Sequence, residues 1–129
     1  MANSELRTAP GDDLSERMLV FATRVFRLTK ALRKDVHSRH VGQQLFRAST
    51  SAGANYEEAR GAESRDDFVH KMGVVWKEVK EARFWLRFIH RAELVAPERV
   101  EPLLKEAEEL SKIFGSSIKT ARVRGFEKA

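Results

Sequence analysis

Seven consecutive residues, Ser49-Thr50-Ser51-Ala52-Gly53-Ala54-Asn55, carry no side chain larger than asparagine, inside a stretch that otherwise reads as one long helix. Small side chains let a helix backbone approach its neighbour closely, while glycine and hydroxyl residues lower intrinsic helicity. Such a segment is helical because its surroundings hold it so. That places it in the crowded middle of a bundle or at a subunit contact. Prolines stand only at positions 10, 97 and 102, so a long interval is free of helix breakers.

Apolar spacing divides the chain into four helical segments. Residues 1–12, with Pro10-Gly11, show no periodicity and read as a disordered lead-in. Asp13 and Glu16 have capping-box spacing. Leu14, Met18, Phe21, Val25, Leu28 and Leu32 then recur at steps of four and three, predicting a helix that ends near Lys34-Asp35; Leu19, Val20 and Phe26 widen its stripe. After a polar link around His37-Ser38-Arg39, Val41, Leu45, Ala48, Ala52, Asn55 and Ala59 repeat the rhythm up to Gly61, which places Asn55 on the buried stripe. There its amide is expected to fix helix register and assembly state.

Ser64 with Asp67 opens the third helix as another capping pair. Its inner stripe is Phe68, Met72, Val75, Val79, Ala82, Leu86 and Ile89, and Trp76, Phe84, Trp85 and Phe88 are assigned to an adjacent face. Apolar groups over more than half a helix circumference exceed what one bundle contact uses, so part of this surface is expected to meet another subunit. Pro97 starts the fourth helix, whose face is Val100, Leu103, Leu104, Ala107, Leu110, Phe114 and Ile118. Gly115-Ser116-Ser117 is expected to fray its last part, and 123–129 to form a basic flexible tail. Residues 13–122 then make one all-α domain, most simply an antiparallel up-down four-helix bundle.

Charge is uneven along the chain. Lysine and arginine number 24 against 19 acidic residues, a net +5. Residues 14–40 alone match that excess, with Arg17, Arg24, Arg27, Lys30, Arg33, Lys34 and Arg39 against Glu16 and Asp35. Arg17, Arg24 and Arg27, spaced seven and three, share a face; Arg83, Arg87 and Arg91 form a second row at steps of four. Rows of this kind contact phosphates, giving salt-sensitive affinity with little sequence preference. The same rows serve equally as solvated faces or as ion-pair partners of Glu101, Glu106, Glu108 and Glu109. Both readings stay open at this stage.

Catalytic and metal chemistry find little footing. With no cysteine, disulfides and thiolate metal sites are excluded. A di-iron bundle site needs two Glu-x-x-His pairs, and the nearest analogue, Asp67-Phe68-Val69-His70, occurs once at a helix start. Ser49, Thr50 and Ser51 lie in no Gly-x-Ser-x-Gly elbow. Glu57 and Glu58 diverge by about 100° on a helix and do not converge on one atom. No enzyme, metal or cofactor is expected. There is no apolar run of membrane-spanning length and no signal-peptide core, so the expected compartment is the cytoplasm.

Gln44-Leu45-Phe46-Arg47 followed by Ser49 through Ala59, with Ser64, Asp67, Phe68, Lys71 and Phe84-Trp85-Leu86, resembles the bacterial four-helix-bundle family named after 23S rRNA intervening sequences. The resemblance spans roughly residues 14–122, its most specific part being the Ser-x-Gly-Ala-Asn-Tyr core; Ala52 stands where the family more often has Ile or Val. It implies an up-down bundle assembled as a ring, commonly a homopentamer. The accessory variability determinant proteins of diversity-generating retroelements look similar in fold and basic character; they partner a reverse transcriptase and bind nucleic acid.

The resulting expectation is a noncatalytic homo-oligomeric adaptor that binds RNA, DNA or a nucleic-acid-handling protein such as a reverse transcriptase. Arg17, Arg24, Arg27, Lys34, Arg83, Arg87 and Arg91 are the candidate contacts; Ala52, Gly53, Asn55, Trp76, Trp85 and Phe88 are the candidate subunit interface. The alternative is a protein–protein assembly module without a nucleic-acid role.

Overall fold

Four helices follow one another in the computed structural model, which describes the backbone of residues 9–128 and the side chains of 9–124. They are α1 (Asp12–Ala31), α2 (Val36–Arg60), α3 (Arg65–Arg91) and α4 (Pro97–Lys128), and no strand occurs among the described residues. Successive helices run antiparallel. Phe26 faces Phe46 across α1–α2, His40 faces Trp85 across α2–α3, and Trp76 reaches Ser111 across α3–α4. Packing is most extensive between α2 and α3 and between α3 and α4, while α1 leans mainly on α2 and meets α4 more briefly.

The apolar stripes close on one core. Phe21 and Val25 of α1, Leu45, Ala48 and Ala52 of α2, Val75, Val79 and Leu86 of α3, and Val100, Leu110 and Phe114 of α4 have no exposed surface. Each large member stabilises the fold by about 1.5–3 kcal/mol through burial. The small-residue run of α2 turns Ser49 and Ala52 into this core, while Ala54 faces outward. Ala52 is wholly enclosed, so it has no surface to offer a second copy, contrary to its expected place in a subunit interface. At Gly53 an added Cβ would lie 3.9 Å from Met18 Cβ, so this glycine faces α1. Asn55 is half-buried and donates from Nδ2 to Ser51 O in its own helix at 2.8 Å, and Tyr56 takes the buried position beside it.

Helix ends depart from expectation where side chains compete for the cap. Asp13 does not cap α1. Gly11 does, at φ +89°, and Asp12 accepts a 2.6 Å bond from Ala9 N. Glycine is required at 11 on two counts, since a Cβ would also come within 2.7 Å of the Tyr56 hydroxyl. The α1–α2 link is 32–35 rather than His37-Ser38-Arg39, because Asp35 caps α2 by accepting from both Ser38 N and Ser38 Oγ at 2.9 Å. Ser64 caps α3 as the spacing predicts, accepting from Asp67 N at 3.0 Å.

The far end of α3 closes through Glu93, a non-glycine residue at φ +54°, with Leu94 N bonded to Ile89 O at 3.1 Å and Glu93 N to His90 O at 3.2 Å. Gly115-Ser116-Ser117 does not fray α4, which continues through the 123–129 segment as far as Lys128. The reason is packing. The Trp76 indole lies on Gly115, where a Cβ would meet ring carbons at 3.2–3.3 Å, and its Nε1–H donates to Ser111 Oγ at 3.3 Å.

Candidate nucleic-acid interface

The two basic rows divide along their length. In the first, Arg17 is committed to α4: Nε and Nη2 donate to the Glu106 carboxylate at 2.7 and 2.9 Å. That bidentate bond holds the Arg17 proton more tightly than usual. Arg24 and Arg27 sit further along, beside Arg99, Leu28, Pro102 and Leu103, in a shallow cleft of about 200 Å³. Where Arg17 finds a glutamate on α4, these two find another arginine.

The second row behaves alike. Arg83 Nη2 lies 3.7 Å from Glu108 Oε2, while Arg87 and Arg91 are exposed. Steps of four advance a helix face by about 40°, so the three do not share one bearing. Among the described residues, no carboxylate lies within 4.0 Å of the charged nitrogens of Arg24, Arg27, Lys34, Arg87 or Arg91.

Topology gathers the uncommitted cations. The C-termini of α1 and α3 and the N-termini of α2 and α4 meet at one end of the bundle. Among the described residues that end carries Arg24, Arg27, Lys30, Arg33, Lys34, Arg39, Arg87, Arg91 and Arg99, against Asp35, Glu93, Glu98 and Glu101. Two of the four carboxylates are engaged: Asp35 caps α2, its carboxyl held below the usual range by the Ser38 hydrogen bonds, and Glu101 meets His90 Nε2 at 3.0 Å. Lys34 joins Lys30, Arg33 and Arg39 around a groove of about 310 Å³ between α1 and α2, whose apolar walls include Phe26 and Phe46. Spacing along single helices could not reveal this groove. The pairing of Phe26 with Phe46 depends on α1–α2 register, and its only sequence signal was that Phe26 widened the α1 stripe.

The aromatic residues separate into two sites. Trp76 and Trp85 are nine residues apart, which turns them about 180° from each other on an α-helix. They therefore do not share a face, contrary to expectation. Trp76 fills the α3–α4 seam with Lys80 Nζ 3.8 Å above its ring. Trp85 sits on the α2 side, edge-on to His40 and donating to Glu81 at 3.1 Å. Phe84 and Phe88 flank it at centroid distances of 5.0 and 6.4 Å and remain 55% and 43% exposed. Below them, Arg47 bridges Glu78 and Glu81 at 3.2 and 2.6 Å, and its guanidinium lowers the Glu81 pKa. No group of three or more metal-ligating side chains occurs among the described residues. No described helix is long and apolar enough to cross a membrane.

These features define an antiparallel four-helix bundle with one strongly basic end and an exposed aromatic strip. The chain belongs to the 23S rRNA-intervening sequence protein family, whose profile matches residues 13–116. A crystal structure of a protein of unknown function from the S23 ribosomal protein family of Bacteroides thetaiotaomicron is 34% identical. That likeness covers 81% of this chain and 97% of the other, with a TM-score of 0.75. No curated protein matches the chain. Neither description names a reaction.

Proposed function

We infer that this protein is a noncatalytic, homo-oligomeric cytoplasmic adaptor that binds nucleic acid through the basic end of its bundle. The reading rests on one observation: both arginine rows lose their α4 carboxylates toward the same end, where, among the described residues, nine cations face four carboxylates and two of those are occupied. Phosphates are the natural counter-charge for such a surface, and contact with them releases condensed counterions. Assembly as a pentameric ring, as the family resemblance implies, multiplies the excess fivefold on one particle. Each weak contact then acts in concert with the others.

The test is fluorescence anisotropy with labelled RNA and duplex DNA of unrelated sequences. Affinity is expected to show little sequence preference. It should fall by orders of magnitude between about 50 and about 200 mM salt, as for any binder making several phosphate contacts. Arg87→Glu with Arg91→Glu should weaken every probe, while Arg17→Gln, already neutralised by Glu106, should change little. No binding at low salt would overturn the reading.

A pure assembly module is the second reading. It is favoured by the Arg17–Glu106 and Arg83–Glu108 pairs and by the exposed Phe84–Trp85–Phe88 strip. It predicts oligomers that ignore nucleic acid at every salt concentration.

A further inference from the structure

The groove between α1 and α2 differs from the rest of the basic end, because it combines charge with exposed rings. Phe26 and Phe46 keep 45% and 42% of their surface open and stand 6.1 Å apart, tilted by 56°. Lys30 Nζ lies 4.8 Å from the centroid of the Phe26 ring. Lys30, Arg33, Lys34 and Arg39 surround the groove, and among the described residues no carboxylate lines it. A volume of about 310 Å³ is small beside a double helix. A purely electrostatic phosphate site has no use for two open aromatic faces. A subunit contact through this groove would need its four cations matched by an acidic partner surface.

We propose that this groove binds an unpaired stretch of nucleic acid, with one base stacked on Phe26 or Phe46 and the flanking phosphates held by Lys30, Arg33, Lys34 and Arg39. Stacking is tolerant of sequence because every base has a π-face, and the basic rim follows the backbone. The proposal rests on the nucleic-acid reading above and narrows it from phosphate contact to single-strand recognition. Lys30 has a defined part: it already sits over the Phe26 ring, and it moves from ring to phosphate as a base takes its place.

The experiment compares a short mixed-sequence RNA, the same sequence as DNA, and the corresponding DNA duplex, each carrying 2-aminopurine, on the intact protein and on Phe26→Leu/Phe46→Leu and Lys30→Ala/Arg33→Ala. Leucine keeps the half-exposed apolar surface and removes the π-face. The expected result is tighter binding of both single strands than of the duplex, with 2-aminopurine quenched on binding. The leucine variant should lose about five- to a hundredfold in single-strand affinity and leave the duplex unchanged. The lysine–arginine variant should weaken all three probes and flatten the salt dependence. RNA bound more tightly than the matching DNA assigns a contact to the 2′-hydroxyl; equal affinities assign the groove to base and phosphate alone, and either result supports the proposal.

Equal binding of single strands and duplex, or leucine variants that bind like the parent, overturns base stacking while leaving the basic end as a phosphate surface. Failure of every probe at low salt removes both readings. A change of oligomer mass in the leucine variant, measured by light scattering, assigns the groove to a second copy of the chain and likewise overturns the proposal.

Discussion

Tyr56 shows how much one side chain can join. It is the chain's only tyrosine and lies 5% exposed, edge-on to Phe114 of α4 with centroids 5.7 Å apart. Its hydroxyl donates to Gly11 O at 3.1 Å, tying the start of α1 to the end of α2. Arg60 and Asp12 pair alongside, and Ser15 donates to Glu57 in the same clamp. Burial raises the Tyr56 pKa above its ordinary value, since phenolate is poorly solvated there. The folded state thus holds the proton more tightly than the unfolded one. The stability from this group is complete below about pH 10 and is lost as pH climbs through the folded pKa. Because no second tyrosine contributes, the tyrosinate difference band reads this residue alone, and its midpoint should lie above pH 10 while the protein remains folded. Tyr56→Phe should cost about 1 kcal/mol at neutral pH in denaturant melts, the value of one neutral hydrogen bond. That difference should shrink in strongly alkaline buffer. A tyrosinate midpoint at or below pH 10 in the folded protein would contradict the assignment.

Among the helices, two glycines in helix interiors have opposite roles. Gly73 of α3 has nothing within 4 Å of where a Cβ would stand. Gly115 of α4 is the floor on which the Trp76 ring rests. Helix propensity alone favours alanine over glycine by about 1 kcal/mol at both. Gly73→Ala should therefore raise stability by about that amount in thermal or chemical melts. Gly115→Leu should lower it by about 2 kcal/mol through overpacking, with a red shift in tryptophan emission as Trp76 is lifted toward water. If both substitutions stabilised the protein, Trp76 would not be seated on α4. The same contact explains why α4 runs on through a glycine–serine run that looks like a place to fray. Local propensity is small beside burial of an indole.

At the scale of the whole molecule, the exposed aromatic rings among the described residues gather in two places, the Phe26–Phe46 groove and the Phe84–Trp85–Phe88 strip. The groove is ringed by cations, whereas the strip borders the Arg47–Glu78–Glu81 cluster, where two carboxylates face one guanidinium. Exposed aromatic surface of this kind suits contact between identical chains, because burying it there removes it from water. Light scattering on the purified protein is expected to give a multiple of the protomer mass, five by family resemblance. Phe84→Ser with Phe88→Ser should shift it toward monomer while helical circular dichroism persists. Unchanged mass would move the subunit contact elsewhere on the surface.

Apolar spacing alone determined four helices, their order and most of their buried positions, since a 3.6-residue period shows directly which side of a helix avoids water. Ser64 as a cap was equally legible, being a contact made within one turn. Tertiary structure decided what depends on partners far along the chain. It set Gly11 rather than Asp13 at the α1 cap, made Asp35 the cap of α2 rather than the end of α1, decided which helix each of Trp76 and Trp85 packs against, and enclosed Ala52. It paired Arg17 and Arg83 with α4 while leaving Arg24, Arg27, Arg87 and Arg91 without a carboxylate partner among the described residues. The physical reason is range. Helix periodicity is carried by neighbours three and four residues away, whereas the charge environment of an arginine depends on which helix lies opposite and at what register.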